Sequence, residues 1–280
     1  MTTAQVIRTP YLDGPPTPLG QQQSIEATLR GIHRTYVPIR KTFVQQGRGK
    51  RTAPGPIAEF LTSRDPRGLD AYLLIHALAS TWPWGCTYPS GFWVRTLGLV
   101  GDEVLSADTI GHARPAVSKI MKRLVDRRLI ARTRNKRWAS LTLLREDGSG
   151  CPYQRPFETA EQWFSLPHSY WHDGHYRTLS LPAKILLLIA LERSDDFSLP
   201  QDRAPDWYGI SADSADRGLR ELRHAGLLQV NQTWIEEPRS DTGWTQRWTY
   251  RLLGPYATTV RNEAAAMAKA NFESAAGEQT

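Results

Sequence analysis

The sequence predicts an α+β fold, mainly α, in which one helix–helix–helix–hairpin unit occurs twice in tandem. Two patterns support this prediction. A basic amphipathic helix over residues 113–127 is followed by two strand-like runs around a basic turn. The same order of apolar helix, amphipathic helix and strand pair recurs in the second half of the chain. With 280 residues and 40% hydrophobic content, the chain is long enough for two packed domains.

Composition sets the predicted domain boundaries. The first residues are rich in proline and glycine, which favours disorder. A polar stretch with glycine and proline in the middle of the chain is typical of a linker. The predicted divisions are a disordered segment (1–29), a basic arm with the first unit (30–145), a linker (146–160), the second unit (161–256) and an alanine-rich tail (257–280).

In the first unit, residues 36–44 are predicted to form an edge strand, because the proline within them has no backbone N–H to donate. Residues 69–79 are apolar nearly all round and predict a buried helix. A short helix over 92–99 and a polar loop over 100–111 are expected next. The basic helix follows them, with Pro115 suited to its first turn, and a strand pair ends the unit.

The second unit repeats these elements. Residues 181–191 are similar to the apolar helix, residues 211–225 are similar to the basic helix, and strands are expected over 228–235 and 247–253. Both amphipathic helices end alike, with LVDRRLI in the first unit and LRHAGLL in the second. This recurrence indicates a tandem duplication in which the first copy has extra residues before its basic helix. A frayed helix is expected in the tail, over 264–276.

The charge of the chain is concentrated in two clusters. Residues 113–137 contain ten basic residues and one acid, which gives +9, and residues 30–51 contain seven basic residues and no acid. The two clusters total +16, which leaves −9 for the rest of a chain whose net charge is +7. Such a polarised distribution favours an anionic partner, with nucleic acid as the first candidate.

The basic helix has two faces at about 100° per residue. Its apolar arc contains Val117, Ile120, Met121, Leu124 and Val125. Its polar arc contains Ser118, Lys119, Lys122 and Arg123, and Arg114 lies one turn earlier. Arg114 and Lys119 suit guanine, and Ser118 suits a phosphate or a base edge in the major groove. The alternative is a solvated charged face without a partner.

Two flexible segments extend this candidate surface. The predicted hairpin turn contains Arg134, Lys136 and Arg137, which are suited to phosphates or the adjacent minor groove. The loop over 46–51 contains Arg48, Lys50 and Arg51, with a glycine on each side of Arg48, and is expected to become ordered on a polyanion. An ordinary hairpin tip and a structural loop remain the alternatives.

The amphipathic helix of the second unit has a different charge balance. Arg217 and Arg220 occupy the places of Lys119 and Lys122, but three acids (Asp213, Asp216 and Glu221) cancel its three arginines. The sequence leaves open whether this helix contacts DNA, binds protein or is purely structural.

The stretch AVSKIMKRLVDRRLI (116–130) resembles the recognition helix of MarR-like winged helix-turn-helix proteins, which reads roughly aVSriLkrLedrGLI before a basic β-wing. The glycine of that pattern is Arg128 in the first unit and Gly226 in the second. The segments FSLP (164–167) and LSLPAKILLL (179–188) are similar to the start of some plasmid replication initiators. The resemblance covers about residues 60–255 and implies two tandem winged helix-turn-helix domains.

Charge and resemblance together predict a sequence-specific double-stranded DNA-binding protein without a cofactor. The expected role is that of a replication initiator or transcriptional regulator of a plasmid- or phage-like bacterial element. A repressor unrelated to mobile elements and a winged-helix protein-interaction module remain the alternatives. A homodimer or multimer on repeated sites stays open. No enzymatic activity is expected, because the sequence has no GxxxxGK[ST], GxSxG or HExxH motif.

Other features of the sequence exclude competing classes. Two cysteines cannot make a disulfide framework or a four-thiolate zinc site. His168, His172 and His175 have helical spacing, but the Asp–Gly pair between the last two argues against an unbroken helix, so no metal is expected. The N-terminal segment does not resemble a signal peptide, and no apolar run is long enough for a membrane span. A cytoplasmic, nucleoid-associated protein is therefore expected.

Overall fold

The computed structural model describes residues 17–47, 49–135, 138–156, 159, 161–200 and 202–277. Within these residues the fold is α+β and mainly helical, with small antiparallel sheets, which agrees with the predicted class. The helices are α1 (Gln21–Leu29), α2 (Ile57–Thr62), α3 (Pro66–Leu78), α4 (Ser90–Thr96), α5 (Ala107–Asp126), α6 (Ser169–His172), α7 (His175–Thr178), α8 (Leu181–Glu192), α9 (Ala204–Tyr208), α10 (Ala212–His224) and α11 (Thr258–Gly277). The strands are β1 (Tyr36–Arg40), β2 (Gln45–Gln46), β3 (Ala53–Pro54), β4 (Gly85–Thr87), β5 (Ile130–Asn135), β6 (Trp138–Leu143), β7 (Trp163–Pro167), β8 (Leu228–Glu236) and β9 (Trp244–Leu252).

The two predicted units have the same order of elements. The first unit runs α3–β4–α4–α5–β5–β6, and its sheet has the order β4-β6-β5. The second unit runs α8–α9–α10–β8–β9. In the first unit, Cys86 of β4 pairs with Leu141 of β6. In the second unit, a single bridge between Phe197 and Tyr250 of β9 takes the place of this pairing. The extra residues of the first unit include those between α4 and α5, as the sequence predicts.

The basic helix α5 begins earlier than predicted. Ser106 caps its N-terminus by accepting from the backbone N–H of Thr109, whose hydroxyl accepts in turn from the N–H of Ser106. The prediction of a loop over 100–111 is therefore wrong from Ala107 onward, because a polar first turn was taken for a loop. Pro115 lies inside the helix and not in its first turn, on the exposed side.

The two units share one hydrophobic core. Strand β1 precedes the first unit in the chain, yet it pairs with β7, which precedes the second, with Val37 opposite Leu166. The edge-strand prediction is confirmed for Tyr36–Arg40, and the residues that follow form a 3-10 turn.

The predicted linker connects the halves through buried contacts. Glu146, at its start, is fully buried and forms an ion pair with Arg40 of β1 at 2.6 Å. Tyr153, within the same stretch, is also buried in the core. The predicted linker (146–160) therefore has described residues that are packed in the core, because a carboxylate of this polar stretch is the partner of a buried arginine.

The prediction of disorder over residues 1–29 is wrong for its last part. Helix α1 buries Ile25 and Leu29 and packs against α4 and α6. The side-chain amide of Gln22 donates to the carbonyl of Trp171 at 3.0 Å. The buried apolar stripe of this helix consists of two residues, Ile25 and Leu29. Such a stripe is too short to predict a helix from the sequence. Residues 1–16 lie outside the described part of the chain.

No helix in the described residues is long and apolar enough to cross a membrane.

Candidate nucleic-acid interface

Helix α5 has the buried and the exposed face that the sequence predicts, with one exception. The buried side contains Val117, Ile120, Met121 and Leu124. Val125 is an exception, because it is 36% exposed although it lies on the predicted apolar arc. The exposed side contains Arg114, Ser118, Lys119 and Lys122. Four predicted contact residues therefore lie together on one solvent-facing surface.

The cations of this exposed surface have few competing partners. Within the described residues, Arg114 and Lys119 form no ion pair. Lys122 bonds Asp126 one turn later at 2.8 Å, with both side chains largely exposed. An exposed pair of this kind contributes about 0.3–0.5 kcal/mol, so an incoming phosphate can replace it.

Arg123 has a different place from the one predicted. Its guanidinium turns toward the start of α3 and donates two hydrogen bonds to Asp65, at 2.8 and 2.7 Å. Arg127 donates to the same carboxylate at 2.7 Å. Burial would raise the pKa of Asp65, but these hydrogen bonds outweigh it and lower the pKa to about 2. The assignment of Arg123 to DNA contact is therefore corrected to a structural ion pair.

In the second unit, an acidic residue of the third helix makes the equivalent contact with the cap of the first helix. Glu221 holds in α10 the position that Arg123 holds in α5. Its carboxylate accepts hydrogen bonds from the backbone N–H and the hydroxyl of Ser180, which caps α8 as Asp65 caps α3. The third helix of each unit thus fixes the N-terminus of the first helix.

The remaining charges of α10 pair along the helix. Arg217 lies 3.3 Å from Asp213, and Arg220 lies 2.6 Å from Asp216. All four side chains are at least 43% exposed. These i,i+4 pairs fit the charge cancellation that the sequence predicts, so this helix presents alternating charge.

The hairpin of the first unit places further cations beside α5. Arg132 and Arg134 are exposed on β5, and the indole of Trp138 is partly exposed at the start of β6. Lys136 and Arg137, the other predicted turn residues, lie outside the described residues. A groove of about 490 Å³ separates α5 from this sheet, and Arg114, Ser118, Arg132 and Trp138 line it. Trp138 is not among the predicted contact residues, although its place beside the basic turn is visible in the sequence.

The hairpin of the second unit is longer and carries aromatic residues. Trp234 is 61% exposed and lies opposite Gln246, which Trp244 and Trp248 flank two residues away on either side. Because successive side chains of a strand alternate between faces, the three exposed indoles lie on one face. None of these tryptophans is among the predicted contact residues, because the pairing that brings Trp234 beside Trp244 and Trp248 is set by the register of the hairpin.

The second basic cluster does not form one surface. Arg40 is buried and bonded to Glu146 and Glu161, and Lys41 lies 3.4 Å from Glu192. Part of the charge counted over residues 30–51 is therefore neutralised, because acids distant in sequence reach Arg40 and Lys41.

The described residues of the predicted basic loop lie near the second unit. Strands β2 and β3 pair across it, and a 3-10 turn (Gly49–Arg51) contains Lys50. Arg51 is exposed, whereas Arg48 lies outside the described residues. Strand β3 packs against α9, which places this loop beside the second unit.

The histidines with helical spacing are divided between two short helices and a buried site. His168 precedes α6 and is buried, which together with Arg34 and His172 lowers its pKa to about 4. His175 begins α7 after Gly174, which has a positive φ of 74°. Among the described residues, no group of three or more histidines, cysteines or carboxylates could hold a metal.

No family model, no curated protein and no solved structure matches this chain. The resemblance to winged helix-turn-helix proteins therefore remains a prediction from residues 116–130 and the charge pattern. The function has to be inferred from the arrangement of the side chains.

Proposed function

We propose that the chain binds duplex DNA through its first unit, with α5 in the major groove and the β5–β6 hairpin on the flanking backbone. The observation that supports this most strongly is the exposed surface of Arg114, Ser118, Lys119 and Lys122. Asp126 is the only acid bonded to it among the described residues. Arginine and lysine are the usual partners of guanine in that groove.

The order of elements supports the same proposal. Each unit has three helices followed by a hairpin, which is the order that the resemblance to winged helix-turn-helix proteins implies. In such a unit the third helix enters the major groove and the hairpin serves as the wing. We propose this fold for both units, on the strength of their matching order and registers.

The second unit contributes less to phosphate binding in this proposal. Its third helix, α10, pairs its arginines with neighbouring acids, whereas α5 leaves Arg114 and Lys119 unpaired within the described residues. The biological role remains a choice between replication initiation and transcriptional regulation of a plasmid- or phage-like element, and it rests on the resemblance of residues 164–188.

Footprinting on the DNA that flanks the gene, combined with the salt dependence of binding, tests this function. If about six phosphates are contacted, log K falls with log salt at a slope near −5. Iterated protected repeats favour an initiator, and one protected palindrome over a promoter favours a regulator. Binding that is flat in salt overturns the proposal and favours a protein-interaction module.

A further inference from the structure

The β8–β9 hairpin has an aromatic face that the proposed duplex contacts do not use. Its three exposed indoles are those of Trp234, Trp244 and Trp248. Single apolar side chains on a surface are common, but several large ones grouped on one face mark an interaction site. The groove beside α5 belongs to the first unit, so these three residues form a separate candidate site.

The indoles alternate with amide side chains on this face. Gln232 lies opposite Trp248, and Gln246 lies opposite Trp234. Both glutamines are exposed, so the apolar surface is interrupted, whereas the buried centre of a protein–protein interface is largely apolar. Nucleobases fit the alternation better, because each base has a flat face that stacks on an aromatic ring and polar edges that accept or donate hydrogen bonds.

The spacing of the indoles favours a single strand over a duplex. Trp234 is the diagonal cross-strand neighbour of both Trp244 and Trp248, and such neighbours lie about 7–8 Å apart. The nucleotides of one duplex strand follow one another about every 3.4 Å, and their stacked bases have no face free for a side chain. An extended single strand exposes its base faces to aromatic side chains.

Cations lie at the end of this face that is next to α10. A groove of about 320 Å³ separates α10 from the hairpin, and Arg220, Arg223 and Trp248 are among the residues that line it. Arg223 is exposed and forms no ion pair within the described residues. Arg220 pairs with Asp216, which also lines the groove, but both side chains are exposed, so a phosphate can replace the carboxylate.

We propose that this face binds a short stretch of single-stranded nucleic acid, with bases stacked on the three indoles and phosphates beside Arg220 and Arg223. Glu236 lies opposite Trp244 near the tip of the hairpin and repels phosphate there, which directs the backbone toward α10. Because every base has a flat face, the site is expected to have little sequence preference. The site lies outside the surface proposed for duplex DNA and does not depend on it.

The test is fluorescence anisotropy of labelled short oligo(dT) and oligo(U) with the full chain, at constant ionic strength. Quenching of tryptophan fluorescence in the same titration reports stacking. We expect saturable binding of at least one oligonucleotide, and the Lys119→Ala/Lys122→Ala variant of α5 is expected to retain it. The absence of binding by both oligonucleotides overturns the proposal. Binding that is lost in the α5 variant but unchanged in the tryptophan variants below also overturns it.

Variants of one indole separate stacking from general apolar contact. Trp234→Leu is expected to weaken binding at least about fivefold, whereas Trp234→Tyr retains most of it, because a phenol ring can still stack on a base. Trp82→Leu is the matched control, since Trp82 is 80% exposed but lies in the first unit, and it is expected to leave binding unchanged. Equal affinities of Trp234→Leu and the wild type overturn the proposal.

A second pair of variants tests the place of the phosphates. Arg223→Gln is expected to flatten the salt slope of oligonucleotide binding by about 0.7, the value for one phosphate of a single strand. Arg247→Gln is the control, because Arg247 lies on the opposite face of the hairpin from Trp248, and it is expected to leave the slope unchanged. Equal slopes for Arg223→Gln and the wild type overturn the placement of the phosphates beside α10.

Two further outcomes separate this site from other surfaces. A dimer that sedimentation velocity finds in the wild type but not in Trp234→Leu, with oligonucleotide binding unchanged, makes the aromatic face an interface between copies and overturns the proposal. Oligonucleotide binding that persists while the wild type fails to bind duplex DNA overturns the proposed function of α5 but supports the single-strand site.

Discussion

Replacing Asp65 by asparagine removes the carboxylate that joins α5 to α3. The aspartate accepts three short hydrogen bonds from Arg123 and Arg127 and caps α3 through the N–H of Gly68. Its pKa is lowered from 3.8 to about 2, which corresponds to about 2 kcal/mol of stability at neutral pH. Asparagine retains the cap but leaves Arg127 with only the Ser63 hydroxyl and the carboxylate of Glu59 at 3.6 Å, so the expected loss is about 2–3 kcal/mol.

The loss depends on pH in a direction fixed by the sign of the shift. Because the pKa of Asp65 is lower in the folded state than in the unfolded state, the stabilisation is present above about pH 4 and disappears as the pH falls toward 2. Between pH 6 and pH 3 the difference between the wild type and Asp65→Asn is expected to shrink by about 1 kcal/mol.

Urea denaturation followed by circular dichroism, from pH 6 to pH 3, measures this difference. Asp126→Asn is the matched control, because Asp126 pairs with Lys122 on the same helix but is exposed. It is expected to cost less than about 0.5 kcal/mol. A difference for Asp65→Asn that is constant with pH, or equal to that of the control, refutes the role assigned to the ion pair.

Three further predictions follow from single positions or short segments. Arg128 has a positive φ of 57°, and Gly226 at the equivalent position of the second unit also has a positive φ. Because glycine adopts this conformation without strain, Arg128→Gly is expected to raise the free energy of unfolding by about 0.5–1 kcal/mol in urea titrations. Arg123→Ala is expected to lower the melting temperature while leaving the salt slope of DNA binding unchanged; a flatter slope means that Arg123 does contact phosphate. Replacing Arg48, Lys50 and Arg51 by alanine is expected to flatten that slope by about 2–3, measured by fluorescence anisotropy. A lower melting temperature with an unchanged slope would make this loop structural.

Local patterns in the sequence predicted the parts of the fold that local physics determines. The apolar helices α3 and α8, the hairpins and the buried arc of α5 follow from periodicities of 3.6 and 2. The matching ends of α5 and α10 also revealed the repeat, and their equivalent positions now explain why Arg123 and Glu221 contact a helix cap.

Pairings between distant residues could not be predicted in this way. Arg123 and Asp65 are 58 positions apart, and Arg40 and Glu146 are 106 apart. The net charges of the two basic clusters include both arginines as if they were available to a polyanion, although buried carboxylates bind them. The count therefore overstated the charge of the surface.

We propose that α5, and not α10, supplies the cations that bind DNA. The most direct measurement is the salt dependence of duplex binding for two matched double variants, Lys119→Ala/Lys122→Ala and Arg217→Ala/Arg220→Ala. We expect the first double variant to flatten a slope near −5 by about 2 and to weaken specific binding by about 1–3 kcal/mol per residue. The second pair is expected to have a clearly smaller effect on both. Equal losses from the two variants, or a wild-type affinity that does not change with salt, would contradict the claim.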